Sequence, residues 1–248
     1  MKQQTLAGFS KYAKTTRRAK FLADMDRVVP WRELVAVVEP HYPKGSPEGG
    51  RPPVGLERML RISFLQLWFN LSDPAVEEAP YDSTAMREFV GVDLGSEAAP
   101  DETTVCKFRH LRERAKLGKS RLAAVNEHLQ AQGIKIANGT IVDATIISAP
   151  SSTKNTDEQR DPEMHQTAKG KQWYFGMKAH IGVDSRTKLI HTILIRRGVP
   201  NARDFTNRKD RWPSGRIDEI VKAKNLHRLE VMAALTNVCM QRRRLLAS

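Results

Sequence analysis

At Gly139 the apolar period of this chain changes from helical to twofold, which argues against both an all-helical and an all-β fold. Before that point Leu56, Met59, Leu60, Phe64, Leu67, Trp68 and Leu71 recur at the spacing of one helix face, within a helix expected over Val54 to Leu71. After it, Thr140 to Ser148 alternates as a strand with Ile141, Asp143, Thr145 and Ile147 on one side. Trp173 to Val183 reads as a longer strand and Lys188 to Ile195 as a third. Asp184-Ser185-Arg186 makes a tight turn between those two, so they are expected to pair antiparallel. The fold class is therefore α+β.

The first half divides into short helices. Trp31 to Val38 is an apolar helix stopped by Pro40, and the Pro/Gly-rich stretch His41 to Pro53 is a loop. Asp73-Pro74 places a cap before a first-turn proline, and Asp82-Ser83 offers a second cap. Pro80 is expected to end the helix between them early. Asp101 caps a helix from Glu102 to Ala115, whose exposed side is read as Lys107, Arg109, Arg112, Arg114 and Lys116. Short helices ending in a basic one suit a helix-turn-helix-like DNA reader, and an ordinary bundle with a solvated basic face fits equally well. A helix from Lys119 to Gln132 follows, with Gly133 at its stop. Ala149 to Lys171, polar and lysine-bearing, is read as a loop.

Charge narrows the partners. Against 28 Asp+Glu stand 41 Lys+Arg, a formal net of +13, which favours a polyanion. Residues 196–248 alone carry 13 Lys+Arg and 5 Asp+Glu. The first twenty residues read as a basic arm in which Arg17, Arg18 and Lys20 are candidates for phosphate contact. Lys107 and Arg109 are the candidates on the reader helix; Lys154, Lys169 and Lys171 flank the first strand's region. No run approaches the ~18 apolar residues that span a bilayer. Two cysteines without metal-ligand spacing argue against a disulfide framework and leave a reducing cytoplasm as the default.

Asp143 stands apart from the rest. A carboxylate in mid-strand between Val142 and Ala144 is costly to bury unless paired, hydrogen-bonded or bound to a metal. A solvent-facing edge position is the plain alternative. Metal-assisted phosphodiester chemistry needs oxygen ligands from several chain segments, so one Asp is insufficient.

Ile141 to Asn155 (IVDATIISAPSSTKN), Arg160 to Thr167 (RDPEMHQT) and Gln172 to Val183 (QWYFGMKAHIGV) together resemble the DDE transposases of bacterial insertion sequences. More narrowly they resemble the insertion sequence five family. Arg51-Pro52-Pro53-Val54-Gly55, Trp68-Phe69-Asn70-Leu71-Ser72-Asp73 and Pro100-Asp101-Glu102-Thr103-Thr104 resemble that family's helical leader. The resemblance runs from about Thr5 to Leu194. It implies a helical DNA-binding domain over residues 54–133, after a basic arm and linker over 1–53. It also implies an RNase H-like domain that starts at 139–195 and needs Mg²⁺ or Mn²⁺ on three carboxylates. Asp143 matches the first, as catalytic residue and metal ligand; the second and third have no counterpart here.

Ala202 to Asn225 and Leu226 to Leu246 resemble later family segments, with blocks absent near Ile195 to Val199 and at Ala223-Lys224-Asn225. The sheet is therefore expected to be incomplete, and 196–248 to be a basic remnant with a C-terminal helix, its first part, 196–224, packing poorly. Asp184 reads as a turn residue; Asp204, Asp210, Asp218 and Glu219 read as solvated partners of arginine. Three readings compete: a transposase cutting and joining its own inverted repeats, a non-catalytic DNA-binding remnant or inhibitor, and a basic RNA-binding protein. The first two imply double-stranded DNA in the cytoplasm, at the nucleoid, with a second copy or a full-length transposase as further partner.

Overall fold

The computed structural model describes residues 14–45, 52–134, 140–148, 165–169, 172–197 and 223–247. They fall into two compact units: one within Met1–Val35, His41–His110 and Cys239–Ser248, the other within Ala36–Pro40 and Leu111–Val238.

The first unit is helical. Its first helix, α1 (Arg17–Val28), takes in the residues read as an arm. The Thr16 hydroxyl accepts the Ala19 N–H at 3.1 Å, and Leu22, Met25 and Val28 turn one face inward. A charge-rich stretch masked that apolar stripe, and Arg17, Arg18 and Lys20 occupy a helix's first turn. Next come α2 (Trp31–Val38), a 3₁₀ turn at Glu39–His41, and α3 (Leu56–Phe69), which buries Met59, Leu60, Ile62, Phe64 and Leu65. The rings of Trp31 and Trp68 lie 5.3 and 5.5 Å from Phe64. Arg61 on α3 pairs with Asp26 and Glu57 and lies 4.3 Å over the Trp31 ring. A guanidinium can sit among aromatics there because its charge is met at the rim.

In α4 (Asp73–Asp82) the cap is Ser72, one residue earlier than the sequence suggested, and it accepts from Ala75 N–H. Pro80 does not end the helix early. Standing in the last turn, it forgoes one hydrogen bond near a fraying end and buries its ring. Ser83 then caps α5 (Thr84–Val90), which stops at Gly91 with φ 72°. Asp101 caps α6 (Glu102–Arg114) as expected, accepting Thr104 N–H at 2.6 Å.

The second unit combines α7 (Gly118–Ala131) with four strands: β1 (Thr140–Ser148), β2 (His165–Lys169), β3 (Gln172–Asp184) and β4 (Ile190–Arg197). β3 pairs antiparallel with each of the other three. β2 lies inside the stretch read as loop. Its sequence, HQTAK, has no apolar alternation, and its strand form comes from pairing with residues 172–176 of β3. β4 starts at Ile190 rather than Lys188, whose φ of 61° belongs to the turn. At the other end of β3, Trp173 is 65% exposed. The final helix, α8 (Ala223–Leu245), packs Leu226 and Leu229 against Met177, Ala179 and Ile195 of the sheet.

Two details fix this packing. Asn237, fully buried on α8, accepts Ile190 N–H at 2.8 Å and donates to Ile190 C=O at 2.7 Å and Asn126 Oδ1 at 2.8 Å. Gly118, at the start of α7, faces α8 so closely that a Cβ would overlap the Glu230 carboxylate and meet His227 Cα at 3.1 Å. The His227 backbone cannot swing aside as a side chain can. Gly118→Ala is therefore expected to cost about 1–3 kcal/mol of stability. Urea unfolding indistinguishable from wild type would show that α7 and α8 are not so tightly seated.

Candidate nucleic-acid interface and the Asp143 strand

β1 carries Asp143 at its fourth position, and the register sets it opposite Ile181, itself opposite Ile193. Directly opposed strand residues share a face. Position 143 thus belongs to the face of Met177, Ala179 and Ile195, each no more than 2% exposed. The four strands contain one other carboxylate, Asp184. By the twofold period it stands on the opposite face of β3. It is fully buried, and its Oδ1 accepts Arg186 N–H, Thr187 N–H and the Thr187 hydroxyl at 2.6–2.9 Å. That is the work of a turn residue.

The basic candidates separate. Arg17, Arg18 and Lys20 are exposed, with the Arg18 guanidinium 5.3 Å from the Phe69 ring centroid. Lys107 is exposed on α6, whereas Arg109 donates to Asp73 Oδ1 at 2.8 Å and to Cys106 Sγ at 3.5 Å. Arg112, read as part of the exposed basic side, is only 5% exposed. It shares a helix face with the buried Phe108 and Val105, four and seven residues before it. Lys169 lies in β2; Lys154 and Lys171 lie outside the described residues, as do Asp204, Asp210, Asp218 and Glu219.

Sequence reasoning missed a buried cluster of ionisable side chains on α6, α7 and α8: Arg112, Arg121 and His227. Burial, then the charge of Arg112, pull the Arg121 guanidinium well below its usual value. Burial, then Arg112 and Arg121, push the His227 imidazole down to about 3. Arg121 carried no sequence signal beyond its place on the same α7 face as Leu122 and Val125.

Two family models match the chain: a transposase domain (DUF772) over residues 10–111 and a transposase DDE domain over residues 135–208. The chain belongs to the DDE transposases of insertion sequences. No solved structure matches it. The helical match covers α1 to most of α6, so the transposase's helical leader includes Arg17, Arg18, Lys20, Lys107 and Arg109. The DDE match covers all four strands and Asp143. DDE transposases generally use divalent metal ions. Among the described residues no group of three His, Cys, Asp or Glu is placed to hold one. The residues opposed to and flanking position 143 on its face, Ile181, Ile193, Ile141 and Thr145, include no second carboxylate. The described donors do not fit a two-metal clamp. No helix among the described residues is long and apolar enough to cross a membrane.

Proposed function

We propose that this transposase chain, of the insertion sequence five family, binds the inverted repeats of its element but neither nicks nor joins DNA by itself. The observation that carries this reading is the face around Asp143, which the register fills with Ile181, Ile193 and Thr145 where further carboxylates would be needed. The sheet is the opening of an RNase H-like domain, and the DDE match ends at residue 208. The segments expected to bear the second and third carboxylates are absent from the sequence. Such a chain acts as a DNA-binding remnant, or as an inhibitor that occupies the ends a full-length relative would cut, in the cytoplasm at the nucleoid. An active transposase is the alternative, requiring replacement ligands from residues 204–219.

Arg17, Arg18 and Lys20 contact phosphates, and the lysines at 154, 169 and 171, which follow Asp143 in sequence, add to the same attraction. Lys107 reaches base edges from α6, with Arg109 held in place by Asp73. The test is strand cleavage on end-containing DNA with Mn²⁺, comparing the wild-type chain with Asp143→Asn. Neither is expected to cleave, because carboxylates displaced by ~1 Å already lose ~10²-fold in rate. Cleavage by wild type and none by the variant would overturn the reading.

A further inference from the structure

The first helix, α1, and the last turns of α8 meet in the first unit. Cys239 Sγ on α8 lies 3.8 Å from Met25 Sδ on α1. Three residues on, the Arg242 guanidinium sits 5.4 Å from the Phe21 ring centroid and 3.5 Å from the Asp24 carboxylate. As α8 advances from 239 to 242 its partners recede from 25 to 21. The two helices therefore run antiparallel, and the last turn of α8 heads toward Arg17 and Arg18. At 1.5 Å per residue those arginines begin roughly one turn beyond Phe21.

Basic residues outnumber acids along this seam. Both acids of α1 are already engaged, Asp24 with Arg242 and Asp26 with Arg61. Arg17, Arg18 and Lys20 on α1 and Arg243 and Arg244 on α8 are exposed. Arginines in a last turn also favour a helix's carbonyl end, and Arg242 to Arg244 all stand there. That effect needs no second basic helix beside it, and here one lies alongside.

We infer that Arg243 and Arg244 join Arg17, Arg18 and Lys20 in one composite surface for the phosphates of duplex DNA, so that the C-terminal helix is part of the binding site. This rests on the DNA-binding reading above and deepens it. Each phosphate neutralised on B-DNA steepens the fall of log K with log salt by ~0.9. The experiment measures the affinity of the full chain for a fluorescent duplex of arbitrary sequence across a salt series. Arg243→Gln with Arg244→Gln is expected to flatten the slope by about 1–2 and to weaken binding at low salt. Arg17→Gln with Arg18→Gln is expected to do the same, while Lys119→Gln, exposed on α7 in the other unit, leaves the slope unchanged. Far-ultraviolet circular dichroism confirms that each variant stays folded; for a pair that unfolds, the single Arg243→Ala or Arg17→Ala takes its place, alanine being the best helix former, with a slope change of about 1 expected. Duplex binding with an unchanged slope in the tail variants would overturn the composite surface and leave DNA binding standing. An equal flattening by Lys119→Gln would also overturn it, as diffuse attraction to net charge. No duplex binding at all, or binding to anionic vesicles alone, would overturn both.

Discussion

Asn237→Leu is expected to destabilise the chain by roughly 3 kcal/mol, since each buried polar group stripped of its partner costs about 1–3 kcal/mol. The Asn237 amide closes both backbone groups of Ile190 at the start of β4 and meets Asn126 Oδ1 from α7. Leucine has the volume but no donor or acceptor. Ile190 N–H would lose its Asn237 acceptor, and Ile190 C=O would keep only the longer bond from Asn126 Nδ2, at 3.2 Å. Asn237→Asp is the informative companion, since its carboxylate still accepts from Ile190 N–H but can no longer donate. Its charge is also fully buried, so it should be no more stable than the leucine variant. Urea midpoints equal to wild type for Asn237→Leu would show that α8 does not hold this strand through its amide.

That amide illustrates where sequence reading stops. The change of period at Gly139 and the caps at Ser83 and Asp101 are local, so residues a few positions apart disclose them. The same holds for the turn at Asp184, whose acceptors and donors lie within three residues. Asn237, Asn126 and Ile190 meet only after the chain has folded, and none has an unusual sequence neighbourhood. β2 was missed for a related reason: a polar pentapeptide becomes a strand because β3 extends past its other partners and offers it an edge. Arg112 looked exposed because lysines and arginines surround it in sequence, yet the helix turns it inward with Val105 and Phe108.

The candidate site shows the same division. Asp143 is legible as a carboxylate in the middle of a strand, and the structure places it in β1. Which residues oppose it depends on register, and the register supplies isoleucines. The pairing of α8 with α1 was least legible of all, since Cys239 and Met25 are separated by most of the chain.

Acid should unfold this chain sooner than its surface carboxylates alone would require, and His227 is the reason. His227 is 6% exposed, neither ring nitrogen has a hydrogen-bond partner among the described residues, and Arg112 and Arg121 face it. Its folded value of about 3 lies far below the ordinary 6.5, so the native state keeps it neutral. In the unfolded chain it takes up a proton as pH falls through about 6.5. The unfolded state then binds the extra proton, so the contribution is fully present above that pH and is lost as pH falls toward about 3. The loss amounts to about 1.4 kcal/mol per pH unit, or roughly 2 kcal/mol between pH 6.5 and 5. His227→Leu removes the titrating group from its buried position and should lose that slope, whatever its effect at pH 7. Urea unfolding of both proteins at pH 7, 6 and 5 makes the comparison. Parallel stability losses in wild type and variant would show that the buried imidazole is not the acid-sensitive group.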